Sequence, residues 1–128
     1  MGKRGSLKGC PRRGEIHIVS FDPVRGREMA KTRPALIIQN NIGNRESGIV
    51  IVAAITSYKS SDQLYPVNVL IKAPEGGLKN DSVIHLDHIR SVDKERLSGR
   101  LGTVSETALL KVNRALAISL GLINLGPS

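Results

Sequence analysis

Six short runs rich in β-branched residues follow one another along this chain, and no segment of helical period separates them before residue 105. Glu15 to Phe21 sets Ile16 and Ile18 against His17 and Val19, and Asp22-Pro23 ends that ladder because proline has no donor to give it. Ala35 to Gln39 and Gly48 to Ile55 are bounded by Pro34, by Asn40 to Asn44 and by Thr56 to Ser61, which predicts two buried, central strands. Further strands are expected at Tyr65 to Ile71, Ser82 to Leu86 and Ile89 to Val92, with a turn at Pro74 to Gly77 and one helical turn near Asp93 to Leu97. Strands without crossover helices disfavour a doubly wound parallel sheet and favour a small, strongly curved barrel or a half-open sandwich.

The period changes at Ser105, which caps a helix carrying Leu109, Val112, Leu116 and Leu120 on one face, with Gly121 where a left-handed C-terminal cap would sit. The expected class is therefore α+β, β-rich, with a C-terminal helix over one end of the sheet. A length of 128 residues suits one domain, and with one Phe, two Tyr and no Trp its core must be aliphatic. The longest apolar runs fall well short of the roughly 20 residues of a membrane span. No apolar stretch follows the charged N-terminus, and the single Cys10 has no internal partner, so a soluble cytoplasmic chain without disulfide, catalytic thiolate or membrane association is expected.

Charge is unevenly placed. Lys3, Arg4, Lys8, Arg12 and Arg13 are five of the 19 cations and precede the first acid, so of the net +8 the remainder of the chain carries 14 − 11 = +3. This divides the chain into a basic, flexible arm at 1–13, a folded domain at 14–123 and a tail at 124–128. Between Asp22 and Pro34, Arg25, Arg27, Lys31 and Arg33 outnumber Asp22 and Glu28, a local +2 able to attract a polyanion. That loop is long for a connection between adjacent strands. Its last cation, Arg33, is fixed by Pro34 in extended backbone, and its planar fork of donors matches two phosphate oxygens. The same arginine could equally be a solvated partner of Glu28.

Thr56-Ser57 places two hydroxyls where a buried strand emerges, either as phosphate donors or as the start of a turn. Gln39, Asn40 and Asn44 offer amides to bases or simply build a turn. His85-Leu86-Asp87-His88, with Asp81 nearby, looks like a metal cluster, but strand alternation sends His85 and Asp87 one way and His88 the other, so no metal site is expected. Neither a phosphate-binding loop ending in Lys-Ser/Thr nor a Gly-x-Ser-x-Gly elbow is present.

Taken in order, Gly14-Glu15, Phe21-Asp22-Pro23-Val24-Arg25-Gly26-Arg27-Glu28, Thr32-Arg33-Pro34-Ala35, Gln39 to Asn44, Ile51 to Ser57, Asp81-Ser82-Val83-Ile84 and Ile118 to Leu122 resemble the MazF/PemK family of toxin endoribonucleases. The resemblance implies a homodimer of small SH3-like, PemK-type barrels that cuts single-stranded RNA at a short sequence, uses no metal or other cofactor, and is neutralised by a cognate antitoxin. By position it puts the catalytic arginine at Arg33, the catalytic threonine at Thr56 and the loop glutamate at Glu28. The expected reaction is attack of the ribose 2′-hydroxyl on its own phosphate, leaving 2′,3′-cyclic phosphate and 5′-hydroxyl ends, with Glu28 as base or as the group orienting Arg33.

RNA contacts are expected from Arg25, Arg27, Lys31, Gln39, Asn40, Asn44, Ser57, Asp87 and His88. With so few aromatics to stack on, polar side chains must read the bases. The family commonly has Glu-Gln before Ile-Arg where this chain has Asp87-His88 before Ile89-Arg90, which bears on base preference. Two other classes fit a barrel of this kind: a binding module that does no chemistry, and a toxin that poisons a DNA topoisomerase.

Overall fold

The computed structural model describes residues 10–21 and 31–124. Its strands are β1 (Glu15–Ser20), β2 (Thr32–Ile37), β3 (Ile49–Ser57), β4 (Asn68–Ile71), β5 (Ser82–Asp93) and β6 (Leu97–Thr103). They form one antiparallel sheet in the order β4-β5-β3-β2-β1-β6. A short helix α1 (Asn41–Glu46) joins β2 to β3, and α2 (Glu106–Ser119) ends the described chain. The β-rich α+β class is as the sequence implies, but among the described residues the barrel is not closed, because β4 and β6 remain the two edges of the sheet.

Three elements differ from the sequence reading. β4 starts only at Asn68: Pro66 has no donor for a ladder, and Tyr65 and Asn68 close a turn in which the Asn68 N–H donates to the Tyr65 carbonyl at 2.8 Å. β5 is one continuous strand of 12 residues, not two. β6 was not expected, since Leu97-Ser98-Gly99-Arg100-Leu101-Gly102-Thr103 shows no apolar alternation; it is a largely exposed edge strand that needs only one paired side, supplied by β1.

The two faces of the sheet carry separate cores. On one face Ile16, Leu36, Ala53, Ile55, Ile71 and Ile84 meet Ala108, Val112 and Ala115 of α2. On the other, Val19, Ala35, Ile37, Val50, Val52 and Val92 form a smaller cluster. The helix is bounded as its sequence suggests. The Ser105 hydroxyl accepts the Ala108 N–H at 3.1 Å, and Gly121, at φ +75°, ends it in a Schellman turn with Leu122 N–H on the Ala117 carbonyl at 2.8 Å. In the stretch read as an arm, Arg13 is docked against α2, donating from Nη2 to Asn113 at 2.8 Å and from Nε to the Ile38 carbonyl at 2.8 Å.

The gap between the edge strands is bridged by the 3-10 turn Glu75–Gly77, which lies backbone to backbone on β6. A Cβ on Gly77 would stand 2.1 Å from the Leu101 carbonyl oxygen, and one on Gly102 2.6 Å from the Gly76 carbonyl carbon. Gly77 also has φ +77°. Gly77→Ala should therefore lower the unfolding free energy by about 2 kcal/mol or more, combining left-handed backbone strain with the clash; urea unfolding followed by circular dichroism measures it.

α1 is built on amides that were expected to read bases. Asn40 caps it, accepting the Gly43 N–H at 2.8 Å, and Gln39 Nε2 donates to the Ile49 carbonyl at 2.9 Å and to Asn44 Oδ1 at 3.1 Å. Asn44 is fully buried and donates to the Gln39 carbonyl and to Asn41 Oδ1. A side chain so enclosed has no edge to offer RNA. Asn44→Ala should cost about 1–3 kcal/mol of stability, the penalty for orphaned buried polar groups, seen as a lower urea midpoint.

Candidate active site

The site begins with a proline inside a central strand. The Lys31 and Ile37 carbonyls accept N–H groups of Phe21 and Gly14, whereas the Ile38 N–H donates to Ile51, so odd-numbered residues of β2 address β1 and even-numbered ones address β3. Pro34 is even, and its missing N–H lies on the β3 side. The β2–β3 pairing runs through Ile37↔Val52 and Leu36↔Ala53 and stops at Ala35↔Ala54, beside the proline. Carried two residues further, the same register (35 + 54 = 33 + 56) sets Arg33 across from Thr56. A cleft of about 440 Å³ opens there; Arg33, Pro34, Thr56, Ser57, Lys79 and Asn80 are on its walls, and Ile18, Ile55 and Leu78 line its apolar part.

Arg33 is also part of an adjoining groove of about 380 Å³ with Phe21, Lys31, His88 and Arg90. The Arg90 guanidinium carbon lies 5.2 Å from the Phe21 ring centroid, a cation–π contact that holds this arginine over the groove. The two concavities thus share one guanidinium and carry three further cations. A third basic cleft of about 460 Å³, between β4 and α2, has Lys72, Lys111 and Arg114 on its walls. Volume does not separate the three. Only the first combines an arginine with side-chain hydroxyls.

Below Thr56 lies His85. β5 carries a bulge opposite the Ala53–Ala54 step: Ala53 pairs with Ile89 and Ala54 with His85, leaving Leu86, Asp87 and His88 without counterparts on β3. Leu86 remains buried in the larger core while Asp87 and His88 are thrown outward. Simple alternation, which sent His85 and His88 to opposite faces, fails at this bulge, and the two rings sit 5.6 Å apart. His85 Nε2 is 2.7 Å from Thr56 Oγ1, and its Nδ1 is 3.3 Å from Asn68 Nδ2. Burial, and then the nearby His88, push the His85 pKa below its ordinary 6.5, with Asp87 acting weakly the other way. Among the described residues no group of three or more His, Cys, Asp or Glu side chains converges as a metal site would require.

Of the residues singled out in the sequence, Arg33, Thr56 and Ser57 share the cleft, and Lys31 and His88 line the adjoining groove. Asp87 is exposed on the bulge, 4.0 Å from His88. Gln39, Asn40 and Asn44 lie past the far end of β2, six residues and about 20 Å of extended chain from Arg33. Arg25, Arg27 and Glu28 lie outside the described residues. Lys79, Arg90 and His85 were not assigned to a site. The step from Ile84 and Leu86 to Ile89, which breaks the even parity of the apolar positions, was the signal of the bulge that brings His85 into play.

A family model described as "PemK-like, MazF-like toxin of type II toxin-antitoxin system" matches residues 12–120. Endoribonuclease MazF of Staphylococcus epidermidis is 44% identical over 113 residues, covering 88% of this chain and 93% of that protein. Endoribonuclease EndoA of Bacillus subtilis is 43% identical over 113 residues, covering 88% and 97%. Among solved structures, a mycobacterial endoribonuclease in complex with its cognate antitoxin superimposes with a TM-score of 0.72 at 28% identity, covering 89% of this chain and 98% of that one. A MazE-MazF crystal form from Deinococcus radiodurans gives the same TM-score, identity and coverage. With the match spanning nearly the whole described domain, this chain belongs to the PemK/MazF family of type II toxin–antitoxin toxins.

Proposed function

We propose that this protein is an endoribonuclease toxin that cleaves single-stranded RNA without a bound metal, through attack of a ribose 2′-hydroxyl on the adjacent phosphorus. The observation that carries this reading is the shared cleft of Arg33 and Thr56 at the point where the β2–β3 ladder stops. In the reaction the 2′-oxygen forms its bond to phosphorus as the bond to the 5′-oxygen breaks. The 2′-hydroxyl proton goes to a base and the leaving 5′-oxygen takes up a proton, giving a 2′,3′-cyclic phosphate and a 5′-hydroxyl. Negative charge grows on the non-bridging oxygens, where Arg33 supplies a fixed positive charge and Thr56 a hydroxyl donor. A guanidinium holds its proton far above neutral pH, so Arg33 serves as the anion stabiliser and Glu28 as the base or as the group that orients it.

Lys31, Lys79 and Arg90 hold neighbouring phosphates, and Ser57, Asp87 and His88 stand where unpaired bases flank the scissile step. A homodimer in the cytoplasm, silenced by an antitoxin that lays an acidic, partly apolar segment over this basic surface, completes the reading. Antitoxin complexes among the solved relatives support that partner.

Arg33→Ala and Thr56→Ala should each slow single-turnover cleavage of a defined RNA about 30- to 1,000-fold, the equivalent of roughly 2–4 kcal/mol per oxyanion donor. Wild-type cleavage should persist in excess chelator and leave cyclic phosphate ends; loss of cleavage in chelator, or 5′-phosphate ends, contradicts the proposed chemistry. Binding of RNA should weaken with salt, and Lys79→Ala should make the slope of log K against log salt shallower by about 0.7 without changing base preference.

A further inference from the structure

We propose that His85 and Asn68 form a positioning relay that fixes which way the Thr56 hydroxyl donates its proton; this rests on the role given to Thr56 above. The chain of donors starts at the backbone. The Tyr65 N–H donates to Asn68 Oδ1 at 2.9 Å, so the amide oxygen is engaged and the amide nitrogen is the atom facing His85. Asn68 Nδ2 has only protons to give, and His85 Nδ1, 3.3 Å away, must accept one. A neutral imidazole that accepts at Nδ1 carries its proton on Nε2. Nε2 then donates to Thr56 Oγ1 at 2.7 Å. Because the threonine oxygen accepts from the ring beneath it, its own proton is released toward the cleft, where Arg33 stands and a phosphate oxygen would sit.

The opposite tautomer would reverse this. With Nδ1 protonated, Nε2 would take the Thr56 proton and leave only a lone pair facing an anionic phosphate. An imidazolium would set its Nδ1–H against the Asn68 amide protons and break that contact. Among the described residues, the charged groups that act on His85 are His88 and Asp87 on its own strand; β3 contributes the Thr56 hydroxyl and β4 the neutral Asn68. Burial and His88 both favour the neutral ring.

Two measurements test the relay, and the first needs no substrate. Long-range proton–nitrogen correlation spectra of the free protein at pH 7.5 should show His85 neutral, with Nε2 protonated and Nδ1 bare; an Nδ1-protonated ring overturns the relay. The second is single-turnover RNA cleavage against pH. His85→Gln, whose amide can accept from Asn68 and donate to Thr56, should keep the wild-type rate. His85→Leu should slow the chemical step about fivefold to tenfold, the worth of one neutral orienting hydrogen bond, with little change in KM. Asn68→Asp, which draws the proton of the neutral ring to Nδ1 and leaves Nε2 to take the Thr56 proton, should slow cleavage at pH 7.5 and regain rate as the pH falls and the ring protonates, because an imidazolium donates from Nε2 as well. Rates and pH profiles unchanged in both His85→Leu and Asn68→Asp overturn the relay. A wild-type protein that fails to cut RNA while His85 shows the Nε2-protonated form would overturn the proposed function and not the hydrogen-bond chain.

Discussion

The N–H that Pro34 lacks would lie between two strands that are both paired on their other sides. β2 is held by β1 through Ile18↔Pro34 and Val19↔Arg33, and β3 is held by β5 through Ile55↔Ile84 and Thr56↔Val83. At this end of the sheet the β2–β3 pairing stops at Ala35↔Ala54 while both flanks stay paired, so the strands can open there without loosening either flank. Arg33 and Thr56 therefore stand on rigid strands and not on loops, at the rim of a core that contains Ala35, Ile37 and Val52 with no exposed surface. A pair of donors placed this way keeps its geometry before a ligand arrives, and under the proposed chemistry that is the condition for electrostatic stabilisation to act on the transition state.

The same seam organises charge. Arg33 lines both the Thr56 cleft and the groove with Lys31 and Arg90, so a polyanion running along this surface would pass between Arg33 and Thr56. Many phosphate contacts give strong but salt-sensitive attraction and little sequence information. Sequence information must come from groups able to meet base edges, and the bulge on β5 exposes Asp87 and His88 beside the groove.

Much of this was legible in the sequence because the strands have simple signatures. Ile16 to Val19, Ala35 to Ile38 and the aliphatic run through Ile55 state their pairing partners by hydrophobic pattern, and Ser105 and Gly121 mark both ends of α2. The conjunction of Arg33 with Pro34 could be seen to restrain an arginine, though the opening of the seam depends on which side of β2 the proline faces, a matter of register. Edge strand β6 was hidden by its glycines, whose purpose lies in the Glu75–Gly77 turn packed against it. Asn44 looks like a surface amide in sequence and is enclosed by contacts from Gln39 and Asn41. In the sequence His85 stands out only as a member of a metal cluster that alternation disperses, because alternation is a local rule and the bulge that breaks it is set by pairing with β3.

The central claim is that one phosphate sits between Arg33 and Thr56. It is tested most directly by the structure of the protein bound to a target RNA carrying a 2′-O-methyl group at the scissile ribose, which blocks attack. The account predicts the non-bridging oxygens of that phosphate within about 3 Å of both the Arg33 guanidinium and the Thr56 hydroxyl. RNA lying instead in the Lys72, Lys111 and Arg114 cleft, with the Arg33–Thr56 seam empty, would contradict it.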